Sequence, residues 1–204
     1  MNDALRVHRY ALASAIFPLL LFAAWISKES HLQWDAAVLT FLNAWQMPEL
    51  IAATSAVTWL GSLAFLLPLA VVVGWRFDST RSWRSWAFMP VAVLGASGFA
   101  HAIKFLVDRE RPDLFPSLIP TLLDGSFPSA HAMQITAFVV AWLFGSNRLQ
   151  QAGQILAGAL LILIVGFSRL YLQVHFPSDV VFGMLAGTLW VLILRALPIW
   201  SRID

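Results

Sequence analysis

Residues 86–107 read WAFMPVAVLGASGFAHAIKFLV, with one charged side chain, Lys104, close to the end. About 20 uncharged, mainly apolar residues are what an α-helix needs to cross roughly 30 Å of hydrocarbon, so this stretch predicts a membrane span. The same test applied outward predicts five more: Tyr10 to Ile26, a run within Ile51 to Trp75, Ser129 to Phe144, Ala152 to Tyr171, and Ser178 to Ile199. Gly61 and Pro68 mark kinks or a break in the second. Tyr10 to Ile26 has no small-residue cleavage site after a short apolar region and reads as an anchor, not a removed signal peptide. Asp35 to Gln46 places Val38, Phe41, Leu42 and Trp45 at helical spacing, with Asp35, Thr40 and Asn43 elsewhere. That pattern predicts a short amphipathic helix in the interface.

Composition agrees with this reading. The chain is 59% hydrophobic and 12% charged, with 10 Trp in 204 residues, more apolar surface than a water-soluble domain of this length can hide. There is no cysteine, which removes disulfides, thiolate chemistry and Cys-based metal sites. A net charge of +2 with scattered basic residues does not fit a nucleic-acid partner. No repeat, linker or low-complexity tract divides residues 1–204, so the expectation is an all-α polytopic protein: six transmembrane helices in a single domain.

The positions of Lys and Arg give an orientation. With the N-terminus in the cytoplasm, Arg6, Arg9, Arg76, Arg81, Arg84, Arg148, Arg195 and Arg202 lie inside, as does the C-terminus. Lys28, Lys104, Arg109, Arg111 and Arg169 lie outside. The excess inside follows the positive-inside rule. Antiparallel passage also places the end of the third span, the start of the fourth, the end of the fifth and the start of the sixth on one face. Those four ends carry Lys104, Ser129, Ser168-Arg169 and Asp179.

Charged groups at a bilayer are expensive unless paired or functional, so the polar residues at these ends call for a reason. Lys104, Arg111 and Arg169 supply a concentrated positive charge, and the arginines can take phosphate oxygens in a two-pronged fork. Phosphoryl transfer is catalysed mainly by positioning and by neutralising charge on the equatorial oxygens. Ser129, behind Pro128 at a helix start, offers a hydroxyl and backbone N–H groups to an anion. His131 and His175 provide groups able to act as nucleophile or acid. Pro177 makes the stretch from His175 to Asp179 a turn entering the sixth span. Asp179 can there hold one imidazole nitrogen while the other faces phosphorus. The residues alone allow either histidine in either role. With cations doing the neutralising, neither a metal nor another cofactor is required. Arg109, Lys28 and His101 read as interfacial anchors, and Asp108, Glu110, Asp113 and Asp124 as a solvated acidic surround or partners for Arg109.

Lys104-x6-Arg111-Pro112, Pro128-Ser129-Ala130-His131 and Ser168-Arg169-x5-His175-x3-Asp179 together resemble the three signature motifs of the type 2 phosphatidic acid phosphatase superfamily of membrane lipid phosphatases. The match runs from Lys104 to Asp179 with order and spacing intact. One departure is Ala130, where the family usually has glycine; alanine implies a helical or extended backbone there, since it does not readily adopt positive φ. The resemblance implies that His175 forms a phosphohistidine. It also implies that His131 protonates the leaving oxygen and later activates water, and that Lys104, Arg111, Ser129, Ala130 and Arg169 hold the phosphate. The substrate it implies is a lipid phosphate or diphosphate, with undecaprenyl diphosphate and phosphatidylglycerophosphate foremost, in a bacterial inner membrane with the site on the extracytoplasmic face.

Two other classes use the same residues. A phosphotransferase would pass the phosphoryl group to a lipid or sugar acceptor, and differs in releasing no phosphate without one. An anion transporter also places cations at helix ends, but needs polar groups through the bilayer, whereas these lie on one face. The orientation is tested in this Cys-free chain by single cysteines. Ser117→Cys should react with an impermeant thiol reagent on intact cells and Ser79→Cys should not; the reverse pattern would invert the topology.

Overall fold

The computed structural model describes residues 33–77, 82–121, 124–144 and 151–200. The expected first span, Tyr10 to Ile26, and Lys28 lie outside them. The described residues form seven α-helices: α1 (Gln33–Ala44), α2 (Pro48–Val57), α3 (Leu63–Phe77), α4 (Trp83–Val107), α5 (Ala130–Phe144), α6 (Gln151–Tyr171) and α7 (Pro177–Ala196). A single 3-10 turn, Thr58–Gly61, joins α2 to α3. Three helices are long and apolar enough to cross a membrane: Trp83–Val107, Ala152–Tyr171 and Pro177–Ala196. The pair Pro48–Gly61 and Leu63–Arg76, bent by 50°, makes a fourth if it is one span. Ala130–Phe144 is apolar but shorter, so the described residues show three or four of the six expected spans.

The break in the second span falls at Gly61-Ser62, while Pro68 sits inside α3. Ser62 has extended backbone, and its Oγ accepts a hydrogen bond from the N–H of Phe65 at 3.2 Å, the capping geometry that starts a new helix. Gly61 lets the bend press inward. A Cβ there would lie 2.6 Å from Val165 Cγ1 and 3.1 Å from His131 Cβ, so only a glycine brings this backbone so close to α5 and α6.

The helix expected at the interface forms as α1. Asp35, Leu39 and Leu42 are buried against the rest of the fold, while Phe41 and Trp45 are 63% and 62% exposed. The α1–α2 connection is held by Tyr171, whose hydroxyl donates to the carbonyl of Trp45 and accepts from the N–H of Met47, both at 2.9 Å. Gln173 Nε2 donates to the carbonyl of Leu39. α1 is therefore tied to the end of α6, where the polar residues gather.

The core lies between α3, α4, α5 and α7 and is built largely from Leu66, Phe88, Val93, Met133, Ile135, Val139 and Val191. α7 meets α5 almost backbone to backbone at Gly183, where a Cβ would stand 2.7 Å from the carbonyl oxygen of Ser129. A backbone atom cannot swing aside as a side chain can. Gly183→Ala should therefore destabilise the fold by about 1–3 kcal/mol through overpacking, read as a lowered unfolding midpoint in detergent. An unchanged midpoint would show that the α5–α7 contact is looser than this.

Candidate active site

Three local chain reversals bring the motifs together. α4 ends where Asp108 adopts a left-handed conformation, φ 44 and ψ 43, with its N–H on the carbonyl of Lys104; Asp tolerates this conformation better than most residues. At the far end of α6, Gln173 has φ 58, and the N–H of Val174 reaches back to the carbonyl of Arg169. α7 then begins with Pro177 in its first turn, where Asp179 Oδ2 accepts the N–H of Phe176 at 2.9 Å. Each places one end of a helix beside the same space.

That space is a cavity of about 610 Å³ lined by Lys104, Arg111, Ala130, His131, Arg169 and His175. Residues 71 positions apart in sequence thus share one wall, as the antiparallel argument requires. Trp59, Leu63, Ile119 and Pro120 give the cavity apolar walls. Ser129 and Asp179 are fully buried and are not among the lining residues. Ser129 departs from expectation: its N–H donates to the carbonyl of Asp179 at 3.1 Å, so that group is not free for an anion. Its buried Oγ has no hydrogen-bond partner among the described residues. Ala130 starts α5, and only Asp108 and Gln173 among described non-glycine residues have positive φ, in line with the helical alternative for alanine.

Every cavity cation has a protein acceptor, as the cost of charge at a membrane demands. Lys104 Nζ lies 3.2 Å from Asp124 Oδ2 and donates to the carbonyl of Gly125. Arg111 donates through Nη2 to Asp124 Oδ1, through Nε to the Asp124 carbonyl at 3.2 Å and through Nη1 to the Val174 carbonyl at 2.9 Å. Arg169 Nη1 donates to Thr58 Oγ1 at 2.6 Å, while its buried Nε has no partner among the described residues. Asp124, expected as solvated surround or a partner of Arg109, instead bridges two of the three cations. Burial works against its carboxylate, but the hydrogen bonds and charges of Arg111 and Lys104 outweigh burial and hold its pKa below the ordinary value.

His175 is 2% exposed, with Nδ1 3.4 Å from Asp179 Oδ2. A carboxylate can only accept, so Nδ1 carries the hydrogen and Nε2 keeps a lone pair in the neutral ring. Burial, followed by the charges of Arg169, Lys104 and Arg111, holds the His175 pKa well below its ordinary value. The ring is accordingly neutral at pH 7.

Arg109, read from sequence as an interfacial anchor, is 4% exposed. Nη1 donates to Asp179 Oδ1 at 2.5 Å and to Ser178 Oγ at 2.8 Å; Nη2 donates to Asp35 Oδ2 at 3.0 Å. Its guanidinium stacks 4.3 Å from the ring centre of Phe176. Asp35 also accepts the N–H and hydroxyl of Ser178, at 2.9 and 2.7 Å. Asp35 is fully buried, not on the polar outer face of an interfacial helix. A run of alternating charges, Asp108 to Arg111, resembles a solvated loop, which hid Arg109. Asp35 carried a usable signal, since a lone carboxylate in an otherwise uncharged helix at a membrane needs a cation. His101, also read as an anchor, lines the cavity, and its Nδ1 lies 2.8 Å from the carbonyl of Ser97.

Known proteins can be set beside this geometry. The profile of the PAP2 superfamily matches residues 85–202, more than half of the chain. The chain belongs to the PAP2 superfamily. Phosphatidylglycerophosphatase B of Bacillus subtilis (strain 168) is 31% identical over 189 residues, covering 88% of this chain and 91% of that protein. Undecaprenyl-diphosphatase BcrC of the same organism is 27% identical over 58% of this chain and 59% of its own length. The crystal structure of a transmembrane PAP2 type phosphatidylglycerolphosphate phosphatase from Bacillus subtilis matches with a TM-score of 0.77 at 26% identity, covering 96% of this chain and 98% of that one. This PAP2 protein is an integral membrane enzyme of a phosphatase family.

In this PAP2 protein the Arg109 network predicts a large mutational effect. Arg109→Ala leaves Asp35 and Asp179 buried without their cation and should destabilise the fold by about 3–5 kcal/mol, measured by unfolding in detergent. A variant as stable as the parent would restore the anchor reading.

Proposed function

We propose that this protein hydrolyses a lipid phosphate or lipid diphosphate through a phosphohistidine on His175. The observation that carries the reading is a neutral, carboxylate-held imidazole on the wall of a cavity that also presents Lys104, Arg111, Arg169 and His131. Three cations receive the phosphoryl oxygens. His175 Nε2 attacks phosphorus as the bond to the lipid oxygen breaks, and His131 gives that oxygen a proton. Asp179 stabilises the ring as it becomes cationic. His131 then takes a proton from water, whose oxygen attacks phosphorus; the P–N bond breaks and phosphate leaves with His175 restored.

The apolar walls at Trp59, Leu63, Ile119 and Pro120 suit the lipid part of the substrate. Undecaprenyl diphosphate and phosphatidylglycerophosphate are the proposed substrates, supported by the names of the similar proteins. The proposed setting is a bacterial inner membrane, with both termini cytoplasmic and the cavity on the extracytoplasmic face. The cations do here what Mg²⁺ does in many phosphoryl-transfer sites, so turnover should survive EDTA and should be blocked by vanadate.

The decisive experiment follows phosphate release and acid-labile phosphoenzyme with radiolabelled undecaprenyl diphosphate and phosphatidylglycerophosphate. His175→Ala should lower kcat on the order of 10⁴-fold and form no phosphoenzyme, whereas His131→Ala should be slow in turnover yet still able to trap label on His175. Label that persists in His175→Ala and vanishes in His131→Ala would exchange the two roles. Strong EDTA inhibition reversed by Mg²⁺ would overturn the metal-free chemistry.

A further inference from the structure

Among the described residues Asp124 is the one carboxylate lining the cavity, and it meets Lys104 and Arg111 through separate oxygens. A carboxylate and a phosphoryl group present similar two-oxygen edges to such cations. Asp124 thus occupies the positions that the phosphoryl oxygens would need on these two residues. Arg169 differs, being bonded to the Thr58 hydroxyl.

We propose that Asp124 is an internal competitor for the anion site, which a dianionic phosphate end group displaces from Lys104 and Arg111 and a singly charged phosphodiester does not. This rests on the reading of the cavity as a phosphoryl site. Among the described residues the lining carries three formal cations and this one carboxylate, so an incoming anion meets both attraction and a like charge. A terminal phosphate, with two charges on one phosphorus, gains more from the cations than it loses to Asp124. A phosphodiester has one charge and fewer free oxygens. The headgroups that fill a phospholipid membrane are phosphodiesters, so the competitor keeps the surrounding lipid out of the site.

The backbone supports exchange by side-chain rotation. Beyond Asp124, the N–H of Ser126 donates to the Arg109 carbonyl at 2.7 Å and its Oγ to the Glu110 carbonyl at 2.9 Å. A Cβ on Gly125 would meet the Lys104 carbonyl at 3.3 Å. The chain is thus held in place on this side. The Asp124 side chain is 28% exposed, which leaves it solvent to turn toward.

The test measures binding of orthovanadate and of glycerophosphoglycerol, a soluble phosphodiester headgroup, to the purified full chain by tryptophan fluorescence, since Trp59 lines the cavity. Asp124→Asn keeps an acceptor oxygen but removes the charge. It should bind orthovanadate roughly tenfold more tightly, the scale of one like charge removed from a partly solvated site, and should bind the diester where the parent does not. Asp124→Ser should act in the same direction, and reads the proposal if the Asn variant does not fold. Unchanged or weaker binding of both ligands in the folded variant would overturn the competitor role. Arg169→Ala separates the two readings: if it binds orthovanadate like the parent, the cavity is not the phosphoryl site. If it loses binding while Asp124→Asn gains none, only the competitor is lost.

Discussion

A guanidinium buried against two carboxylates organises the site. Arg109 joins Asp35 of α1 to Asp179 of α7 and reaches Ser178 between them, so three segments far apart in sequence are fixed at one charge. Burying an ion is tolerable only when its partners are close and well oriented, and here the partners are themselves held by Phe176 and Ser178. The orientation of Asp179, and through it the tautomer of His175, therefore depends on a helix that makes no part of the cavity wall.

The cations fall into two groups with different surroundings. Arg109 is enclosed by carboxylates and stacked on Phe176, and has little to offer a ligand. Lys104, Arg111 and Arg169 face the cavity and are held by acceptors a ligand can compete with: one carboxylate, three backbone carbonyls and one hydroxyl. The arrangement accommodates charge at the membrane without making the site inert. The bent span takes part too, because Thr58, in the turn before the break, supplies the acceptor for Arg169.

Distant contacts choose among the options that the sequence leaves open. Pro68 is the stronger helix breaker in isolation, yet the break falls at Gly61-Ser62, where close approach to Val165 and His131 favours a glycine and Ser62 caps the next helix. Trp34 and Phe41 are the larger apolar residues of α1, yet Asp35 and Leu39 turn inward because Arg109 and Gln173 meet them there. In both places a contact from a distant segment outweighed local preference.

By itself the sequence determined the all-helical membrane class, most helix positions and the side of the bundle on which the polar residues meet. These depend on local quantities: the length of apolar runs, the punctuation by proline and glycine, and the parity of antiparallel helices. The spacing of Lys104, Arg111, His131, Arg169 and His175 was legible for the same reason, since each sits in or within a few residues of the end of a helix whose limits the apolar runs mark. The tertiary structure alone decided the partners that are distant in sequence. Arg109 and Asp35 are 74 positions apart, and Arg169 and Thr58 111. No local pattern encodes such pairs, because they arise only when helix packing removes water from both members and leaves each buried charge or donor to find the acceptor that geometry brings to it.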